Sequence, residues 1–149
     1  MDKNLLVKML HCDNPITVQE KAIQIALKEE DLDFVLYLSE NPCYAKNCAK
    51  IITSLKYERT QKYFDDLFSW IEDLNQPYAF DIFDYLKKAP GNLLINDFIR
   101  ALDASVKRKN EAMKNVLIML LKENDELYDM WNRRTGDGSM SGGRYDRKK

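Results

Sequence analysis

Residues 41–52 read Asn41-Pro42-Cys43-Tyr44-Ala45-Lys46-Asn47-Cys48-Ala49-Lys50-Ile51-Ile52. A residue able to cap a helix precedes a proline suited to a first helical turn, and apolar residues then follow at Ala45, Cys48 and Ile51. Working outward, Asn14-Pro15 and Gln76-Pro77 open comparable segments, and Asn110 opens a fourth without proline. The openers recur at intervals of roughly 27 to 35 residues, the range of helical-pair repeats. The matching positions are Phe80, Phe83 and Leu86 in the third segment and Met113, Val116 and Met119 in the fourth, while the first follows more loosely with Val18, Ala22, Ile23 and Ala26.

Between the openers lie partner stripes. Tyr63, Phe64, Leu67, Phe68, Ile71 and Leu74 share one helical face, and Leu94, Ile95, Phe98, Ile99, Leu102 and Val106 share another. The pattern predicts helices over 3–11, 16–29, 31–39, 43–55, 58–74, 77–88, 91–107, 109–122 and 124–132. Glycine supports this: the 149-residue chain has five, and the first 132 residues hold only Gly91, too few for a turn-rich β fold. The expected fold is all-α, a right-handed α-solenoid of about four antiparallel helix pairs in one domain over 1–132, followed by a flexible basic Gly/Ser-rich tail over 133–149.

Hydrophobic residues make up 45% of the chain and charged residues 32%, so a folded core is affordable and disordered or collagen-like classes are excluded. Net charge is −1 overall, but residues 133–149 carry a local excess of +4, leaving a mildly acidic body. Such a body is a poor platform for duplex nucleic acid, which needs clustered Lys and Arg. No apolar run is long enough for a membrane helix, and the start has neither the charge pattern nor the small-residue site of a signal peptide. The expectations are a cytoplasmic monomer with no membrane association. Cys12, Cys43 and Cys48 are odd in number and lack framework spacing, so they are read as reduced, partly buried thiols.

The stretch from Leu67 to Ala79, Leu-Phe-Ser-Trp-Ile-Glu-Asp-Leu-Asn-Gln-Pro-Tyr-Ala, resembles a recurring segment of small bacterial HEAT-like proteins, and the layout over 14–122 resembles HEAT-like and armadillo-like α-solenoids. The resemblance implies a binding scaffold, of which several are toxin-neutralising immunity proteins or adaptors, and it transfers no catalytic residue.

Catalytic patterns are thin. His11 is the sole histidine, and on a helix the adjacent Cys12 would face elsewhere, so neither nucleophilic catalysis nor a metal site is expected from His11, Cys12, Cys43 and Cys48. Asp81 and Asp84 share a helical face with Lys87 and Lys88 one turn on, which reads as a surface ion-pair lattice. The run Gly136–Gly143 lacks the Lys-Ser/Thr ending of a phosphate loop. No enzyme activity, metal or cofactor is expected.

What remains is a surface of tyrosines among mixed charges on the second helix of each pair, the composition of a protein-binding face. The candidate partner-binding residues are Tyr44, Lys46, Asn47, Lys50, Tyr78, Asp81, Asp84, Tyr85, Lys88 and Lys114. The favoured function is a non-enzymatic protein-protein interaction module, of the immunity or adaptor kind, with a partner protein such as a toxin on its concave face. The rival is a HEAT-like nucleic-acid-binding protein of the DNA glycosylase type, assisted by the basic tail.

Overall fold

Helix α4, Pro42–Thr53, begins as its sequence dictates: the Asn41 side chain accepts the Cys43 N–H at 2.9 Å, and Pro42 occupies the first turn, where a missing N–H removes no bond. Asn110 does the same for α9, accepting the Met113 N–H at 3.1 Å. The structure is a computed structural model that describes residues 2–135. Among the described residues all regular structure is helical: α1 Lys3–Met9, α2 Ile16–Ala26, α3 Asp33–Leu38, α4, α5 Tyr57–Thr60, a 3-10 turn Gln61–Tyr63, α6 Phe64–Ile71, α7 Ala79–Lys87, α8 Gly91–Lys107, α9 Glu111–Glu123 and α10 Asp125–Thr135. The expected all-α class is therefore observed. Arg133, Arg134 and Thr135, read as the start of a tail, lie inside α10, and residues 136–149, with the Gly-rich run, fall outside the described residues.

The contacts divide into two compact units, Met1–Lys56 and Tyr57–Lys149, where the sequence pattern reads one repeat domain over 1–132. In the first unit α2 packs on α1 and α4, and α3 on α4, around Leu6, Leu10, Ala22, Ile23, Val35, Cys48, Ile51 and Ile52. In the second, α6 to α10 pack around Phe64, Phe68, Ile82, Leu94, Phe98, Leu117, Leu120 and Trp131.

Two departures from the expected helices change which side chains are exposed. The stretch 58–74 is interrupted by the 3-10 turn after Thr60, whose hydroxyl bonds back to the Tyr57 carbonyl at 3.4 Å and meets the Tyr85 hydroxyl at 2.8 Å. Pro77 does not open α7. The chain first turns at Tyr78, in the left-handed region with φ 63°, and the helix starts at Ala79. The Trp70 indole N–H donates to the Pro77 carbonyl at 3.1 Å and the Asp73 carboxylate accepts the Asn75 N–H at 2.9 Å, so this turn is held from both sides. The buried set on α7 is Ala79, Ile82, Phe83, Tyr85 and Leu86, and Phe80 is 62% exposed.

The lone glycine of the helical body has a specific role. Gly91 opens α8 against the start of α10, where an added Cβ would lie 2.6 Å from the Glu126 carbonyl carbon and 2.9 Å from the Leu127 nitrogen. Its N–H donates to the Glu126 carboxylate at 3.2 Å. Backbone faces it, so no side chain can swing aside. Gly91→Ala should destabilise the chain by about 1–3 kcal/mol, read by urea or thermal denaturation; an unchanged midpoint would show that α8 and α10 do not meet this closely.

Candidate functional site

The described surface of the second unit exposes large apolar residues at α7 and α9 and, apart from them, Val106 at the end of α8. Tyr78 is 38% exposed, Phe80 62% and Met119 41%. The C-terminal ends of these two helices are joined by Lys87, whose Nζ lies 3.6 Å from Asp84 Oδ1 and 3.7 Å from Glu123 Oε1. On each helix the exposed apolar residue sits one turn before the bridged acid: Phe80 before Asp84, Met119 before Glu123. Asp81 and Lys88 are exposed at the flanks, and Lys114 is half-buried with its Nζ 3.2 Å from Glu111 Oε2. Apolar side chains rimmed by charges are the anatomy of a protein-binding patch.

Two expected contact residues are interior. Tyr85 is 7% exposed and stacks on Tyr57 with ring centroids 4.5 Å apart; the Tyr57 hydroxyl donates to the Tyr85 carbonyl at 2.9 Å. Burial pushes the Tyr85 phenol up to about 12, opposed in part by its Thr60 hydrogen bond and reinforced by Tyr57 and Glu58. The face of α7 that carries Tyr85 packs inward, so Tyr85 is not part of the expected partner-binding surface. In the first unit Asn47 is 5% exposed, and its amide donates to the Leu10 carbonyl at 2.8 Å and to Gln19 Oε1 at 2.9 Å. Tyr44 is half-buried with its ring edge-on to His11, while Lys46 and Lys50 are exposed. Lys50 lines a shallow cleft of about 500 Å³ with Thr17, Glu20, Lys21, Ile23 and Gln24.

The amide pair organises what precedes it. Gln19 Nε2 donates to the carbonyls of Cys12 at 3.1 Å and Asn14 at 2.6 Å, and the Asn14 amide donates to the carbonyls of Met9 at 3.1 Å and His11 at 3.2 Å. Because α1 ends at Met9 rather than continuing to residue 11, His11, Cys12 and Asp13 lie in this bonded turn and can converge. Their side chains do converge, against Cys43 at the start of α4. Cys12 and Cys43 form a disulfide with Cα atoms 5.1 Å apart, which corrects the reading of these residues as reduced thiols. Cys48 stays apart, fully buried, with its thiol pushed up to about 12 by burial.

Basic groups are partly neutralised. Arg100 pairs with Asp97 and with Asp65 at 3.2 Å, and both acids raise its pKa. It lines a mixed-charge cleft of about 320 Å³ between α6 and α8 with Asp65, Glu72 and Arg108.

A family model described as Domain of unknown function (DUF5071) matches residues 45–134. The chain belongs to that family. No curated protein and no solved structure matches it. The DUF5071 match takes in Tyr78, Phe80, Asp84, Lys87 and Met119 and begins two residues after Cys43.

The interior positions generate two predictions. Asn47→Ala removes the donors to the Leu10 carbonyl and to Gln19, and should cost about 1–3 kcal/mol in a denaturant titration; no change would mean water replaces the amide freely. Tyr85 ionises above its ordinary value of 10.0 in the folded chain, so its contribution to stability is whole below pH 10 and falls as pH rises toward 12. Tyr85→Phe should flatten that alkaline loss in melts between pH 9 and 12, and an equally steep loss in the variant would assign it to other groups.

Proposed function

We propose that the chain is a non-enzymatic protein-binding module that engages a partner protein through the face of α7 and α9. The observation that carries the reading is the 62% exposure of Phe80 on a helix that also exposes Asp81, Asp84 and Lys88 and that the Lys87–Glu123 pair joins to α9, where Met119 is exposed. A large aromatic on an ordered helix presents apolar area at little entropic cost, and the charged rim steers encounter and selects register. Phe80 replaces Tyr85 as the anchor of this reading. The face also lies within the residues matched by the DUF5071 family. The resemblance to small bacterial HEAT-like proteins supports an immunity or adaptor role, in which occupying a partner's functional surface is the whole activity.

Phe80→Ala tests this most sharply. Coexpression with the product of the neighbouring gene, followed by copurification and titration, should show binding by the wild-type chain and at least a tenfold (about 1.4 kcal/mol) loss in the variant. Because Phe80 is exposed, its melting temperature should stay within the range of ordinary surface substitutions, about ±0.5 kcal/mol in stability. Equal affinity of variant and wild type would move the interface off α7 and α9.

A further inference from the structure

Outside that face, in the first unit, His11, Cys12, Asp13 and Cys43 bring four ligand atoms within 4.8 Å of one another. His11 Nδ1 lies 3.5 Å from Cys43 Sγ and 3.7 Å from Asp13 Oδ2, and Cys12 Sγ lies 3.9 Å from Asp13 Oδ1. Zinc held tetrahedrally at bonds of about 2.0–2.3 Å sets its ligand atoms about 3.3–3.8 Å apart. The two edges that meet at His11 Nδ1, to Cys43 Sγ and to Asp13 Oδ2, are thus near their working lengths already, and the sulfur–sulfur edge is short only because the two cysteines are bonded.

The surroundings suit a cation. His11 Nδ1 accepts the Asp13 N–H at 3.1 Å, which leaves the proton on Nε2, and a metal at Nδ1 takes over that lone pair by displacing this one exposed hydrogen bond. The Cys12 N–H is aimed at Cys43 Sγ at 3.3 Å, a donor that stabilises a thiolate, and Cys43 sits in the first turn of α4, where the helix dipole favours negative charge. The turn itself is held by Asn14, Gln19 and Asn47, so the ligands stay together when the disulfide opens. Cys12 and Asp13 are exposed, which admits both reductant and metal.

We propose that this cluster is a disulfide-gated zinc site. A dithiol reductant passes two electrons and two protons to the Cys12–Cys43 bond and becomes a disulfide itself, leaving two thiols. Zinc(II) then displaces both thiol protons and binds the two thiolates, His11 Nδ1 and one Asp13 oxygen. Exchange of the thiolates with a disulfide oxidant, which takes up the two electrons and two protons and becomes two thiols, re-forms the Cys12–Cys43 bond and releases Zn²⁺.

The test uses the full chain and Zn²⁺ alone. Samples with the disulfide intact and samples reduced with a phosphine are loaded anaerobically and desalted. Zinc is measured by elemental analysis and affinity by competition with a chromophoric chelator. The reduced chain should hold one Zn²⁺ and the oxidised chain none. Cys12→Ser and Cys43→Ser should each weaken affinity by about 100-fold or more, His11→Gln by at least about tenfold, and Asp13→Asn least, since water can take its place. Cys48→Ser should leave the stoichiometry at one. Both cysteine variants lack the disulfide, so the reduced wild-type chain is their folding reference, and His11→Gln, which keeps the disulfide, decides the matter if neither folds. A reduced chain that retains no zinc, zinc bound equally by the oxidised chain, or full affinity in Cys12→Ser would each overturn the proposal.

Discussion

Buried helix ends are the constraint around which both units are built, and a carboxamide resolves it in each. Asn124 is 3% exposed; its Nδ2 donates to the carbonyls of Leu86 at 3.1 Å and Ala89 at 3.0 Å, closing α7, and its Oδ1 accepts the Leu127 N–H at 3.0 Å, opening α10. Asn47 performs the related task in the first unit, serving the Leu10 carbonyl behind α1 and orienting Gln19 toward the turn that follows. A satisfied buried hydrogen bond contributes only about 1 kcal/mol, but an orphaned carbonyl costs more, so these side chains decide where helices can stop inside the core. Aliphatic packing supplies the bulk of the stability and the amides supply its geometry.

Local strain and close approach then set what reaches the surface. Tyr78 adopts a left-handed conformation that costs a bulky residue on the order of 1–2 kcal/mol, compensated by the Trp70 hydrogen bond and by a well-packed α7. The helix that follows buries Tyr85 and turns Phe80 outward. Gly91 permits the opposite effect, bringing α8 and α10 backbone to backbone so that Trp131, 1% exposed, is enclosed.

The first unit uses covalent closure as well. The Cys12–Cys43 link spans 31 residues and joins the α1–α2 turn to α4, a loop whose closure contributes about 4 kcal/mol in the chain-entropy model. The same two sulfurs lie beside His11 and Asp13, so a structural bond and a ligand set occupy one place.

The sequence by itself determined the helical class, the caps at Asn41 and Asn110, nearly all the helix positions, and the burial of Cys48, because capping and 3.6-residue periodicity act within a few residues along the chain. It also showed that one glycine in the helical body was unusual. Tertiary structure alone decided that Asn47 and Tyr85 face inward, since each is held by groups distant in sequence, Leu10 and Gln19 for one and Thr60 for the other. It alone decided that His11, Cys12, Asp13 and Cys43 meet. That convergence requires α1 to stop at Met9 and α4 to pack beside the following turn, and pairing across 31 residues leaves no periodic signature to read.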